Sequence, residues 1–287
     1  MLQITRFIPS LFGTATEPTI VEPEPEPETK TETKTETKTE TETKAKANQK
    51  TEKTEEASDA ENEERANYLL DAQSKAVSLF AEIEEKLIRP GITEKQLSDE
   101  IYQLGQDRYN INMHWHKRVV RSGPNTLLPF EDNPPDRTIE EDDILYVDLG
   151  PVFEKYEADF ARTFVLGSDP EKIRLRDSLE PVWRTVKQRF EAERATITGG
   201  RLYEIACEEA KNAGWEFGAW LAGHLIGQWP HERVARDKVE LYITKENDKV
   251  MEVKGLDGYK RHWILEIHLR DSKNNRAAFF EQLLTVG

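Results

Sequence analysis

Residues 143–167 read DILYVDLGPVFEKYEADFARTFVLG, with an apolar run on either side of a short polar segment. Both runs are rich in β-branched and aromatic residues, a composition typical of strands. The segment between them, GPVFEKYE, has the turn residues and the length of a hairpin connection. The stretch therefore predicts two antiparallel strands, with Asp148 at the end of the first and Asp159 in the second.

Two aspartates within apolar strands need an explanation. Asp159 follows Asp148 by eleven positions, so a hairpin can bring the two carboxylates face to face. A carboxylate among apolar neighbours is costly unless it is paired, hydrogen-bonded or metal-bound. The simpler alternative is that Asp148 only caps a turn at the end of its strand, and the two aspartates alone leave both interpretations open.

Three more polar residues interrupt apolar segments later in the chain. His224 lies in AGHLIGQWPHE, Glu266 in HWILEIHL and Glu281 in AAFFEQLLTV. A lone histidine in an apolar stretch is usually a satisfied core residue, but a glutamate in such a strand carries the same burial cost as the aspartates. Four carboxylates and a histidine, all on predicted strands, indicate one shared site rather than coincidence.

The elements predicted along the chain form two similar blocks, each with two helices followed by strands. Helical periodicity begins near Glu63, two further helices fit residues 170–196 and 200–213, and later strands fit VELYIT, HWILEIHLR and AAFFEQLLTV. The segments PGITEKQLSDEIYQLGQDRY and TGGRLYEIACEEAKNAGWEF share glycine position, apolar spacing and length. A duplicated αα-β unit explains this likeness, and so does a chance match of two short amphipathic helices.

Residues 1–60 differ in composition from the rest of the chain. Residues 22–67 contain no Val, Ile, Leu, Met, Phe or Trp, and their centre is the repeat TKTETKTETKTETETK. Such a segment has no apolar area to bury that could offset its ordering entropy. The sequence predicts a disordered low-complexity Glu/Thr/Lys tail over residues 1–60 and one folded catalytic domain over residues 61–287. A tether and a simple solvated extension both fit the tail.

The overall composition excludes several classes of protein. The net charge of −15 argues against a nucleic-acid-binding surface, which needs clustered Lys and Arg. No run of 18 apolar residues occurs, so no transmembrane helix and no membrane partner are expected. Cys207 is the only cysteine, so no disulfide or cysteine metal site can form within the chain. A reducing, cytoplasmic compartment is the expected location.

The order and spacing of these polar residues resemble the M24 metallopeptidase family, whose pita-bread fold is that of methionine aminopeptidase, aminopeptidase P and prolidase. That family's five metal ligands occur in the order Asp, Asp, His, Glu, Glu, with ten residues between the first two, as here. A second histidine follows the metal histidine by seven positions, as His231 follows His224. The likeness covers roughly residues 62–287. It implies an α+β pita-bread fold with duplicated αα-β halves and a curved antiparallel sheet.

The resemblance also implies a dinuclear metal site and a role for each ligand. The implied metal ligands are Asp148, Asp159, His224, Glu266 and Glu281. Asp159 and Glu281 would bridge two divalent ions, Asp148 would hold one ion, and His224 with Glu266 would hold the other. This mainly oxygen ligand set favours Mn²⁺, while Co²⁺, Fe²⁺ and Zn²⁺ are also compatible.

Two of the residues carry implied catalytic roles. Glu266 would accept a proton from the attacking water, and His231 would hydrogen-bond the scissile amide or the developing oxyanion.

Three positions depart from the family pattern. The histidine that the aminopeptidases place 17–18 residues before the first aspartate is missing, because that region reads TLLPFED. His114 or His116, further upstream, could replace it or have a structural role. Trp220 stands where aminopeptidase P has a histidine, and Phe279 stands where it has an arginine. We take His116, Trp220 and Phe279 as candidate substrate-binding residues and expect no stringent Xaa-Pro specificity.

The predicted function is that of a metal-dependent hydrolase that cleaves an N-terminal peptide bond or a related amide bond. One alternative is a non-catalytic pita-bread binding protein, but such proteins typically lose metal ligands that this chain retains. Another is a metal-free creatinase-like C–N hydrolase, which would leave Asp148 and Glu281 without a use. The expected partner is a peptide or small amide substrate, and a homodimer is compatible with the resemblance.

Overall fold

The computed structural model describes residues 56–231 and 238–286. Most of the predicted tail, residues 1–55, lies outside the described residues, so its disorder stays a prediction. The helices are α1 (Asp59–Lys86), α2 (Glu94–Tyr109), α3 (Pro170–Glu193) and α4 (Gly199–Asn212). The strands are β1 (Val119–Ser122), β2 (Ile144–Leu149), β3 (Val152–Phe153), β4 (Tyr156–Glu157), β5 (Phe160–Val165), β6 (Glu216–Phe217), β7 (Leu221–Ile226), β8 (Tyr242–Thr244), β9 (His262–Asp271) and β10 (Arg276–Leu283). No helix in the described part of the chain is long and apolar enough to cross a lipid bilayer.

Among the described residues, eight strands form one sheet, in the order β1-β2-β5-β10-β9-β7-β8 with β6 paired to β9. Neighbouring strands in this sheet are antiparallel. The predicted antiparallel pairing of β2 and β5 is present, and the connection between them forms a small hairpin of its own, β3 with β4. The two blocks of strands meet where β5 pairs with β10. The expected α+β class with an antiparallel sheet is therefore confirmed.

Each block packs its helices mainly on its own strands. One buried core joins α1 and α2 to β1, β2 and β5, and the other joins α3 and α4 chiefly to β7, β8, β9 and β10. The blocks also match in detail. The threonine that caps α2, Thr93, forms a β-bridge with Thr138, and the threonine that caps α4, Thr198, forms one with Val250. This correspondence favours the duplicated αα-β unit over a chance likeness.

Two element boundaries differ from the sequence prediction. Helix α1 begins at Asp59 rather than near Glu63, because Ser58 and Glu61 form a capping box with backbone bonds of 3.3 and 2.8 Å. Polar capping leaves no trace in apolar periodicity, and the predicted boundary at residue 60 falls inside the first helical turn. The segment VELYIT is only partly a strand, since a 3₁₀ turn occupies Lys238–Leu241 before β8 begins.

Candidate metal centre

The sheet register brings the predicted carboxylate ligands onto one face. Ala161 in β5 is paired on one side with Asp148 of β2 and on the other with Glu281 of β10. Glu281 in turn lies directly opposite Glu266 of β9. Paired residues in antiparallel strands project to the same face, so the three carboxylates lie in one row across the sheet, with only the methyl group of Ala161 between Asp148 and Glu281. Asp159 lies just before β5, two positions from Ala161, and joins this face.

His224 completes the predicted set from β7. Its Nε2 lies 2.9 Å from Oδ2 of Asp159 and 3.8 Å from an oxygen of each of Glu266 and Glu281. The structure therefore brings together the five side chains that the resemblance implies as ligands. All four carboxylate residues are less than 9% exposed, so the cluster is buried rather than a solvated acidic surface.

A second histidine, His116, also lies in the cluster. Its Nε2 is 3.2 Å from Oδ1 of Asp159 and 3.6 Å from Oδ1 of Asp148, and its side chain is 8% exposed. His114 packs instead against Tyr102, with ring centroids 6.3 Å apart. Of the two upstream histidines that the sequence left open, the structure places His116 at the site.

The ligand atoms fall into two groups that share Asp159. One group contains His116, Asp148 and Asp159, and the other contains Asp159, His224 and Glu281; within each group the ligand atoms lie within 4.8 Å of one another. Asp159 presents Oδ1 to His116 and Oδ2 to His224. A carboxylate that faces two groups through different oxygens is suited to bridge two ions.

The two histidines are oriented in the same way. Nδ1 of His116 donates to the carbonyl of Lys117 at 2.7 Å, and Nδ1 of His224 donates to the carbonyl of Leu225 at 2.8 Å. A metal-binding histidine usually donates its second ring nitrogen to such a partner, which fixes the ring and leaves the other nitrogen for the ion. In both residues Nε2 is the atom directed at Asp159.

Burial and neighbouring carboxylates raise the pKa values of the acidic side chains in the cluster, whereas the two histidines lower them. Burial raises the pKa of Asp148 to about 7, with the charges of Asp159 and Glu266 adding to this effect. Burial and the neighbouring Asp159 also raise the pKa of Glu281 well above its ordinary value. Burial would raise the pKa of Asp159 as well, but His116 and His224 hold that pKa below its usual range. The ionised form of these carboxyl groups is thus stabilised only where a positive charge lies beside it.

The protonated histidines supply that charge when no other cation does. Burial opposes their protonation, but the adjacent aspartates raise the pKa of His116 to about 9 and that of His224 to about 9. A divalent ion can replace the Nε2 proton, since metal binding to a histidine displaces it. One further observation supports the fit: Oδ1 of Asp148 is buried without a hydrogen-bond partner. An oxygen-rich set with two imidazoles suits hard or intermediate divalent cations such as Mn²⁺.

His231 lies beside the cluster and is held by a residue that sequence analysis missed. Glu157, whose side chain is fully buried, accepts from Nδ1 of His231 at 2.8 Å and from its backbone N–H at 3.2 Å. The same carboxylate accepts from the backbone of Gly227 at 3.3 Å. Glu157 occurs in the hairpin segment KYEAD, where a polar residue is ordinary, so only its position two residues before Asp159 could have drawn attention to it.

Trp115 is a second residue that sequence analysis missed. Its ring meets those of His116, His224 and His231 edge-on, with centroids 4.5, 5.1 and 5.3 Å away. Its Nε1 donates to the carbonyl of Ala158 at 3.2 Å, which anchors the indole against the hairpin. Trp115 is therefore an apolar wall common to the three histidines. The motif HWH was the available signal in the sequence.

The other two candidate substrate-binding residues lie in different surroundings. Phe279 is buried and stacks on His268, with centroids 4.0 Å apart, and Nε2 of His268 donates to Glu266 at 3.0 Å. Phe279 is thus connected to the cluster through one residue. Trp220 is 55% exposed and packs near Tyr242, with centroids 5.7 Å apart. The assignment of substrate roles to these side chains stays a prediction.

Residues 67–254 match the sequence profile of metallopeptidase family M24. The chain belongs to this family. Among its M24 relatives, the Xaa-Pro dipeptidase of Pyrococcus furiosus is 33% identical over 129 residues, which cover 45% of this chain and 36% of the dipeptidase. The Xaa-Pro dipeptidase of Lactobacillus delbrueckii subsp. lactis is 28% identical over 168 residues, 58% of this chain and 42% of that one. These matches span less than half the length of the curated relatives.

Solved M24 structures share the fold. A prolidase from Thermococcus sibiricus superposes with a TM-score of 0.62 at 19% identity, over 81% of this chain and 58% of that one. Methionine aminopeptidase from Thermotoga maritima superposes with a TM-score of 0.55 at 17% identity, over 80% of this chain and 98% of that one. The pita-bread fold implied by the sequence resemblance is therefore confirmed for this M24 chain.

Proposed function

We propose that this M24 chain is a metal-dependent hydrolase that cleaves the N-terminal peptide bond, or a related amide bond, of a peptide or small amide substrate. The observation that carries the proposal is the convergence of the five M24 ligand side chains in a buried cluster, with Asp159 shared between two ligand groups. A non-catalytic member that had lost its ions would not need to keep four buried carboxylates together, since their mutual repulsion is costly.

The proposed metal ligands divide between two ions. Asp159 and Glu281 would bridge the two ions. Asp148 would complete the first ion's ligands, and His224 with Glu266 would complete the second's. Two divalent ions held there would lower the pKa of a bound water and polarise the carbonyl of the substrate. We favour Mn²⁺ because the ligands are mainly carboxylates. The single cysteine supports a reducing compartment, and we propose a cytoplasmic location.

Two side chains would move or hold protons in the proposed reaction. Glu266 would accept a proton from the attacking water on one oxygen, while the hydrogen bond from His268 to Oε2 fixes its carboxylate. His231 would donate a hydrogen bond from Nε2 to the scissile amide or the developing oxyanion. The buried Glu157 binds Nδ1–H of His231 and so sets which nitrogen faces the substrate.

The relatives named Xaa-Pro dipeptidase make an Xaa-Pro substrate the simplest analogy, but one local feature argues against strict specificity. Phe279, which is 4% exposed, stacks on the imidazole of His268 and provides an aromatic rather than a charged surface beside Glu266, at a position where aminopeptidase P has an arginine. Such a surface favours an apolar substrate group over a charged one, because a polar group there would be left unpaired. We propose an aminopeptidase-like enzyme with broader selectivity.

A peptide-library digest by the full chain tests the proposal. The chain is first stripped with chelator, and one portion is then reconstituted with Mn²⁺. We expect mass spectrometry to detect loss of N-terminal residues only in the reconstituted sample. Bound metal without any cleavage would favour a binding protein, and cleavage that survives chelation would favour a metal-free hydrolase.

A further inference from the structure

We propose that His116 is a direct ligand of the first metal ion, so that each of the two ions carries one histidine. The inference rests on the proposed dinuclear centre and extends it. The M24 pattern provides one metal histidine, His224, and leaves the ion at Asp148 with carboxylates alone. In this chain a second imidazole occupies the vicinity of Asp148.

The distances around His116 match those between two ligands of the same ion. Nitrogen and oxygen ligands that lie about 2.1 Å from an ion are separated from each other by roughly 3.0–3.5 Å in tetrahedral or octahedral geometry. Nε2 of His116 lies 3.2 Å from Asp159 and 3.6 Å from Asp148. The oxygen on Asp148 that it faces is buried and has no hydrogen-bond partner. Nε2 of His116 and the Oδ1 atoms of Asp148 and Asp159 therefore face one small volume from three sides.

The ring of His116 has the orientation that is usual for a metal-binding histidine. Its Nδ1 donates to the carbonyl of Lys117, just as Nδ1 of His224 donates to the carbonyl of Leu225. The two histidines thus repeat one arrangement on opposite oxygens of Asp159. A main-chain partner at Nδ1 fixes the tautomer in which Nε2 carries the lone pair for the ion.

The space for this ring is built into the chain at Gly150. A Cβ atom on Gly150 would come within 2.2 Å of Cδ2 and 2.5 Å of Nε2 of His116, so the ring could not take this position beside a larger residue. On other sides the ring contacts Trp115 and Phe130, with centroids 4.5 and 5.7 Å away. A ring confined in this way is held in place, unlike a surface histidine that pairs with acids by chance.

The competing role for His116 is contact with the substrate alone. A histidine of that kind would direct Nε2 away from the carboxylates, toward a bound substrate. Here Nε2 is directed between oxygens of Asp148 and Asp159, and the side chain is 8% exposed. The geometry therefore points to coordination.

Metal titration of the chelator-stripped full chain tests this role without reference to activity. Mn²⁺ binding is followed by calorimetry and by elemental analysis after desalting, for the wild type, His116→Ala and the matched control His114→Ala. We expect about two ions on the wild type and on the control, and about one on His116→Ala, with affinity at the lost site reduced roughly 100-fold or more. Two ions bound by His116→Ala at unchanged affinity would overturn the proposal.

A spectroscopic measurement on the wild type covers the case in which His116→Ala does not fold. In the Co²⁺-loaded chain, each coordinated imidazole contributes one strongly shifted, exchangeable Nδ1–H signal to the proton NMR spectrum. Two such signals are expected, and a single one would overturn the proposal. The proposed function fails separately if the wild type shows two signals and binds two ions but cleaves no peptide. A wild type that binds no divalent ion contradicts both.

Discussion

Oε2 of Glu157 lies 2.8 Å from Nδ1 of His231, next to the carboxylate cluster, with Glu157 fully buried and His231 partly buried. They are 74 positions apart in the chain, and the carboxylate also binds the backbone N–H of His231. The pair links the β3–β4 hairpin to the segment after β7. Its effect is to fix the imidazole through Nδ1, which leaves Nε2 as the ring nitrogen available for the proposed contact with substrate.

Replacing Glu157 by glutamine tests this positioning role. The amide keeps the shape of the side chain but loses the negative charge that accepts the hydrogen bond from Nδ1 of His231. We expect kcat to fall about 10- to 100-fold with KM and metal content nearly unchanged. Glu154→Gln, an exposed glutamate in the same hairpin, is the matched control. Loss of bound metal in Glu157→Gln, or an unchanged kcat, would contradict the assignment.

The start of helix α1 predicts how far the chain can be shortened. A chain that begins at Glu56 keeps the Ser58 cap and the ion pair between Glu56 and Lys254, whereas one that begins at Asn62 loses both. Loss of an N-cap costs about 1 kcal/mol, which lowers the melting temperature by roughly 2–4 °C for a domain of this size. Thermal unfolding should therefore separate the two shortened chains, while the longer one unfolds at the full-length temperature. A large drop already in the chain that begins at Glu56 would mean that residues 1–55 support the fold.

His262 predicts an acid-sensitive component of stability. Its ring is buried with Nε2 unpartnered, and burial lowers its pKa from 6.5 to about 4, with Arg65 adding to the shift. Between these two values the unfolded chain binds more protons than the folded one, so stability falls as the pH decreases from about 6.5 to about 4. Denaturant unfolding should show that the wild type loses on the order of 3 kcal/mol of unfolding free energy across this pH range through His262, and that His262→Asn does not show this loss. Parallel curves for the variant and the wild type would contradict the prediction.

Substrate selectivity should follow the surface formed by Phe279. An unpaired polar group buried there costs roughly 1–3 kcal/mol, or about a tenfold to hundredfold loss in rate. We expect kcat/KM for Xaa-Pro peptides to lie within about tenfold of that for matched Xaa-Ala peptides. A panel that differs only at the first two residues provides the measurement. A preference for Xaa-Pro far above that range would show that Phe279 does not set selectivity.

The parts of the site that could be predicted from the sequence are those with a local energetic signal. Asp148, Glu266 and Glu281 each interrupt an apolar strand, and a buried carboxylate is costly enough to be noticed without knowing the fold. Their order and spacing then identified the family resemblance. The strands themselves could be predicted from composition, because runs of β-branched and aromatic residues favour the β conformation.

The parts that could not be predicted depend on tertiary contacts. His116 lies in an irregular segment between α2 and β1 that has no periodicity, so the sequence offered it only as a candidate substrate-binding residue and did not indicate that its ring reaches Asp159. Glu157 looked like an ordinary hairpin residue, and its partner His231 is distant in the chain. In both cases a contact between residues far apart in sequence determines that the side chain lies at the site.

The number of divalent ions bound per chain tests the central claim most directly, with Asp159→Ala as the diagnostic variant. Asp159 presents one oxygen to each ligand group, so its removal should weaken both ion sites together. Elemental analysis of Mn²⁺-loaded, desalted protein should find about two ions on the wild type and close to none on the variant. A wild type that stays empty, or an Asp159→Ala variant that retains its full complement of ions, would contradict the account.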